Sequence, residues 1–173
     1  MKSGRHAKPS LVIIDSQSVK NSFTSRNKGY DAGKKVSGIK RHLVVDIEGL
    51  PHGMLVTNAD KTDRDGAILL AMENQSKFDR VIKATVDGGY SGAQFAKAMK
   101  IILHKNTKAD IEVEVAKRTE LHSFAVLPKR WIVERTFAWL NKYRRLTVNR
   151  ERYLTTSKQV MSFAFVHLLL MRL

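Results

Sequence analysis

The 173-residue chain has no cysteine, only three prolines, and half as many acidic side chains as basic ones, 16 against 31. Without cysteine, disulfides and thiolate-ligated metal centres are excluded, and a zinc site would have to rely on histidine and carboxylate. No apolar run approaches the roughly 18 residues of a membrane span. The nearest, residues 160–173, is shorter and is broken by Ser162, His167 and Arg172. The opening MKSGRHAKPS is charged and polar, with no secretory h-region behind it. No phosphate-cradling P-loop occurs, so NTP-driven chemistry is not expected. Internal repeats and low-complexity segments are also missing. These absences lead to the expectation of a cytoplasmic protein with no membrane partner.

What is present is positive charge, unevenly placed. The net charge is +15. Residues 1–40 carry a net +7 and residues 117–152 another +7, whereas 41–116 come to −1. A fold that joins the two blocks would build one cationic face suited to a polyphosphate backbone. Generic solubility and ribosomal-type RNA binding stay open on charge alone. At 43% hydrophobic residues the chain can bury a sizeable core, and its length suits one domain over 1–173.

Residues 1–10 and 21–37 read as loops, rich in Lys, Ser, Gly and Asn. Between them Leu11, Val12, Ile13 and Ile14 form a strand-length apolar run ending at Asp15. Residues 39–47 and 54–58 read as a hairpin with Gly49 in its turn. A helix is expected over 65–75, with Thr62 or Asp63 as N-cap. Residues 81–86 form a second short strand ending at Asp87, followed by a helix that Ser91 can cap, with Phe95, Ala96 and Met99 inward. Residues 101–103 and 111–115 are further strand candidates. Pro128 can open a helix to about Tyr143, and a last apolar helix covers roughly 157–171. Early strands followed by alternating helix and strand indicate an α/β fold around a mixed sheet.

Three acids then stand out: Asp15, Asp87 and Glu134. Each has an ordinary explanation alone. Asp15 could cap a turn, Asp87-Gly88 is a common turn dipeptide, and Glu134 could pair with Arg130 four residues away. Two strand-end aspartates and a helical glutamate could also meet at one sheet edge, where such open sheets place their ligands. Converging carboxylates repel one another unless a hard cation neutralises them, and Mg²⁺ accepts carboxylate and water oxygens. Two such ions can activate a hydroxyl and stabilise the leaving oxygen at a phosphodiester. Arg130, Glu134, Asn141 and Arg145 have spacings that place them on one helical face, either against phosphates or simply solvated. Trp131 and Trp139 read as packing anchors rather than as a DNA wedge. The histidines show no metal-ligand spacing.

The segments IIDSQSVK (13–20), GIKRHLVVDIEGLPHGMLVTNADKTDRDGA (38–67), VDGGYSG (86–92) and RWIVERTFAWLNKYRRL (130–146) resemble the DDE transposases of bacterial insertion sequences, in the insertion-sequence-five group. The resemblance implies a ribonuclease-H-like mixed sheet flanked by helices, with an extra C-terminal helix. It implies Asp15, Asp87 and Glu134 as a catalytic triad holding Mg²⁺, with Mn²⁺ able to substitute. Water would attack at the element's end, and the freed 3′-hydroxyl would attack target DNA without a covalent protein intermediate. DNA contacts are expected from Lys20, Lys40, Arg41, Arg130, Arg135, Lys142, Arg144 and Arg145. The family's tyrosine before the arginine is Leu127 here, and its lysine after the glutamate is Asn141, with Lys142 adjacent. Complete members carry an additional N-terminal region, so the expectation is a downstream-frame or truncated product with weak end recognition. Partners would be element ends and target DNA, a second copy of the chain, and an upstream-frame fragment. Competing readings are a ribonuclease-H-like nuclease and a non-catalytic basic DNA-binding remnant.

Overall fold

The computed structural model describes residues 6–104, 111–116 and 130–171. The strands are β1 (Leu11–Lys20), β2 (Gly29–Asp31), β3 (Val36–Val45), β4 (Pro51–Asn58), β5 (Lys83–Asp87) and β6 (Glu112–Ala116). The helices are α1 (Asp63–Glu73), α2 (Ala93–His104), α3 (Arg130–Asn141) and α4 (Leu154–Leu170). β1 lies at the centre of one mixed sheet, antiparallel to β3 and parallel to β5. β3 pairs onward with β4, β5 pairs in parallel with β6, and β2 caps the start of β3. The two parallel joints follow from the helices α1 and α2, which carry the chain back over the sheet between strands. This is the ribonuclease-H-like α/β sheet that the sequence led us to expect.

Helices cover both faces, so the central strands are apolar on both sides and do not alternate with polar residues. Val12, Ile14, Val44, Ala84 and Val86 pack against α1 and α2. Ile13, Val19, Ile39, Leu43 and Val45 pack against α3 and α4. In α2 the buried side chains are Phe95, Met99 and Leu103, spaced by four residues along one face. That face explains why residues 101–103 are the end of a helix and not the strand their apolar triplet suggested. α1 is capped as expected, Thr62 Oγ1 accepting from the Asp65 amide at 3.1 Å. Gly66 lies under the buried His42 ring, where a Cβ would come within 2.0 Å of the imidazole. Burial pushes His42 down to about 4, so the ring is neutral inside the fold.

Gly49 holds the β3–β4 turn at φ +81°, a backbone that glycine adopts without strain. Asp46 accepts from the amides of Glu48 and Leu50, and Thr136 Oγ1 donates to the Gly49 carbonyl at 2.9 Å. The turn is thereby docked on α3. The last helix divides its apolar residues: Met161, Ala164 and Phe165 enter the core, whereas Phe163, Val166 and Leu170 stay exposed. No described helix is long and apolar enough to cross a membrane.

Three further local expectations change. β1 runs on to Lys20, because Asp15 through Lys20 keep their antiparallel register with β3. The stretch read as a loop, 21–37, contains β2 and the start of β3. Pro128 lies outside the described residues, and α3 ends at Asn141, which leaves Arg145 in a 3-10 turn away from the helical stripe.

Candidate active site and cationic surface

Strand alternation decides which way the acids face. Asp15 follows Ile13 on the α3 side, and Asp87 follows Thr85 on the same side. The parallel register pairs Ile14 with Val86, so the next residues along, Asp15 and Asp87, are neighbours on adjacent strands. Parallel pairing with β5 stops there while β1 continues beside β3. Asp15 is therefore in mid-strand, not at the strand end we anticipated, but it stands where the neighbouring strand finishes. α3 crosses above β1 and β5 and carries Glu134.

Arg130 links the pieces. Its Nη2 lies 3.5 Å from Asp87 Oδ2, and its Nε lies 3.1 Å from Glu134 Oε1 one helical turn on. Asp15 is raised to about 6, first by burial and then by the charge of Asp87; the Ser16 amide, Lys34 and Arg130 act in the opposite direction. Asp87 itself accepts from the Gly89 amide at 2.8 Å, which fixes the turn after β5. Among the described residues no three acidic or histidine side chains are gathered tightly enough to ligate one ion. The donors are all oxygens, as a hard divalent cation prefers. Two of them repel one another, and a guanidinium supplies the positive charge between Asp87 and Glu134. The residues thus fit a divalent ion chemically, provided Glu134, more than half exposed, closes on the aspartates.

Sequence reasoning missed Lys34. Its Nζ donates to the Ser16 carbonyl at 3.3 Å and lies 3.8 Å from Asp63 Oδ2, beside Asp15. Nothing in local sequence marks it, because it comes from the β2–β3 turn.

Two expected DNA contacts are corrected. Lys40 is 4% exposed, with its Nζ 2.8 Å from Asp63 Oδ1, 3.1 Å from Asp31 Oδ2 and 2.9 Å from the Lys61 carbonyl. Burial pulls Lys40 down, but the hydrogen bonds to Asp63 and Asp31 outweigh it and hold the ammonium above its ordinary range. Arg41 is 1% exposed and donates Nη1 to the Leu146 carbonyl at 2.9 Å. Both sit on the central strand β3, where one face meets α1 and the other α3 and α4. Neither reaches the surface.

The other cations are placed differently. Lys20, Lys142, Arg144 and Arg145 are exposed, Arg145 pairing with Glu151 at 2.9 Å. Arg135 lies between two tryptophans of its own helix, 4.5 Å from the Trp131 ring centre and 4.7 Å from that of Trp139, and donates to the Glu48 carbonyl. Trp131 is half exposed, so it stacks on a cation at the surface and is not the core anchor its sequence suggested.

The two basic blocks do meet. Asn149, 3% exposed, donates Nδ2 to Asn21 Oδ1 at 2.9 Å and to Ser25 Oγ at 3.2 Å. Its amide donates to the Lys20 carbonyl, and the Asn149 carbonyl accepts from the Ser22 amide, both at 2.8 Å. Thr24 Oγ1 and Asn27 Nδ2 add bonds to the carbonyls of Arg150 and Arg152. This knot joins the segment carrying Lys20 and Arg26 to the segment carrying Arg150 and Arg152, beyond Asp15 along the direction of β1.

Comparison with known proteins gives the family. The family described as "Transposase DDE domain" matches residues 6–169. The protein named "Putative transposase for insertion sequence element IS402" from Burkholderia cepacia is 31% identical over 124 residues. That match covers 66% of this chain and 54% of the relative, so the chain spans about half the relative's length.

Proposed function

The chain belongs to the DDE-domain transposases, and from that premise we propose that it cuts DNA and joins the freed 3′ end to a target strand. The observation that carries the reading is the clasp of Arg130 on Asp87 and Glu134, with Asp15 beside Asp87. Asp15, Asp87 and Glu134 would hold Mg²⁺, with Mn²⁺ as a substitute. When bound, the metal makes a water or 3′-hydroxyl nucleophilic at neutral pH and stabilises the leaving oxygen.

The chain's own residues do the rest. Asp15 and Asp87 are fixed on two adjacent strands, and Glu134 would close on them from the exposed side of α3. Arg130 is neutralised by both acids; once their charge is taken up elsewhere, it is free to meet a phosphate. Lys34 offers a second cation beside Asp15. The joined basic blocks supply a sequence-independent grip on the DNA backbone. The protein is expected to act as an oligomer on DNA.

The test is metal-dependent nicking. Supercoiled DNA should be nicked by the wild-type chain with Mn²⁺ or Mg²⁺ and left intact with a chelator. Asp87→Ala should abolish nicking and keep DNA affinity, because the basic blocks are untouched. Nicking that survives Asp87→Ala would refute the assignment of the site. DNA binding without any nicking in wild type would favour the non-catalytic remnant.

A further inference from the structure

Phe23 is 99% exposed at the tip of the loop 21–28. A phenyl ring left in water forgoes the stabilisation that burial would supply. The loop does not present it through slackness. Asn21 Nδ2 donates to the Asn27 carbonyl at 2.7 Å, Ser22 and Thr24 share a hydroxyl bond at 2.8 Å, and Thr24 is tied to Arg150. The ring is therefore held outward by a braced loop.

Phe23 lines a shallow cleft of about 470 Å³ together with Lys20, Lys28, Lys35 and the half-exposed Tyr30. None of the described residues lining it is acidic. Lys35 keeps its place there at φ +53°, an uncommon backbone for a non-glycine residue. Two accessible aromatic rings among three lysines combine the two features that hold unpaired nucleotides, a stacking platform and a cationic track.

We propose that this cleft is a subsite for an unpaired nucleotide, with Phe23 stacking on the base and Lys20, Lys28 and Lys35 meeting the flanking phosphates. The subsite rests on the reading that DNA is the ligand, but it is separate from the acids. Lys20 is five residues beyond Asp15 along an extended strand, roughly 17 Å. That matches about five base pairs of B-form duplex. DNA running along β1 from the acids would reach Lys20, on the edge of the cleft, at that distance.

The experiment compares a blunt duplex with the same duplex bearing a single-stranded overhang that contains 2-aminopurine. Wild type should bind the overhang form more tightly and quench the 2-aminopurine. Phe23→Ala should lose the quenching and about tenfold or more in overhang affinity, while blunt-duplex affinity and the melting temperature stay unchanged. Phe23→Trp should restore binding and show its own quenching by DNA. Replacing Lys28 and Lys35 by alanine should flatten the salt dependence of overhang binding by about 1.4 in log–log slope. Overhang and blunt DNA bound equally by Phe23→Ala and wild type would overturn the subsite. So would a Phe23→Ala protein that changes sedimenting mass but not DNA affinity, which would make the ring a protein contact. Loss of blunt-duplex binding in wild type would overturn the DNA reading as well, so the two failures are told apart.

Discussion

The guanidinium of Arg130 reaches from α3 to the end of β5, its Nη2 3.5 Å from Asp87 Oδ2, while the same side chain holds Glu134. A cation among acids that should bind another cation is a competitor. Its ion pairs are partly solvated, and such pairs contribute about 1 kcal/mol or less. Arg130→Gln should therefore raise affinity for Mn²⁺ by about fivefold, as 1 kcal/mol converts, and lower the metal-free stability slightly. Titration of Mn²⁺ by calorimetry would measure it. Weaker Mn²⁺ binding in the variant would show instead that Arg130 positions Glu134 for the metal.

Asp15 leads to a pH-dependent expectation. Its carboxyl is raised to about 6, chiefly by burial, so the folded chain binds that proton more readily than the unfolded chain does. The charged form costs stability above pH 6, and the cost vanishes as pH falls through 6 towards the ordinary carboxyl range near 4. Asp15→Asn keeps an acceptor for the Ser16 amide, which bonds Oδ1 at 2.7 Å. In chelator the variant should melt higher than wild type at pH 8, with the gap closing below pH 6. A gap that widens on acidification would contradict this.

Arg41 is a buried cation that no carboxylate among the described residues pairs with, and burial lowers it to about 10. Its side-chain hydrogen bond to the Leu146 carbonyl fastens the turn after α3 to the sheet. Arg41→Ala should cost about 3 kcal/mol through the space it leaves. Arg41→Met, which fills that space without a charge, should cost much less. Urea unfolding distinguishes the two. DNA affinity should be unchanged in Arg41→Met; a folded variant with weakened binding would return Arg41 to the DNA surface.

Asn149 holds the two basic blocks together. Asn149→Ala removes the bonds to Asn21 and Ser25 and should cost about 1–3 kcal/mol. Amide exchange in residues 21–28 should speed up, and DNA affinity should fall with a shallower salt dependence, since fewer cations would act at one place. Unchanged loop exchange with weakened binding would mean that something else aligns the blocks.

The sequence by itself carried the features that depend on near neighbours. Continuous apolar runs of strand length marked β1 and β5, helical patterns marked α1 and α3, Gly49 marked the hairpin turn, and the four-residue spacing of Arg130 and Glu134 held as an ion pair. The triplet 101–103 misled because three apolar residues are too few to separate a strand from a helix end. Family motifs pointed to Asp15, Asp87 and Glu134, and the parallel register of β1 with β5 sets the first two side by side.

Tertiary structure decided the rest. Lys40 and Arg41 look like Lys20 in the sequence, all cations in or beside a basic block. Pairing of β3 on both edges, under helices on both faces, buries the first two and leaves the third in water. Lys34 comes beside Asp15 only through the β2–β3 turn, and Asn149 reaches Asn21 across 128 positions. Local periodicity follows from backbone geometry within a few residues. Whether a charge is solvated, paired or buried depends on which distant segments pack around it, and no short stretch of sequence contains that.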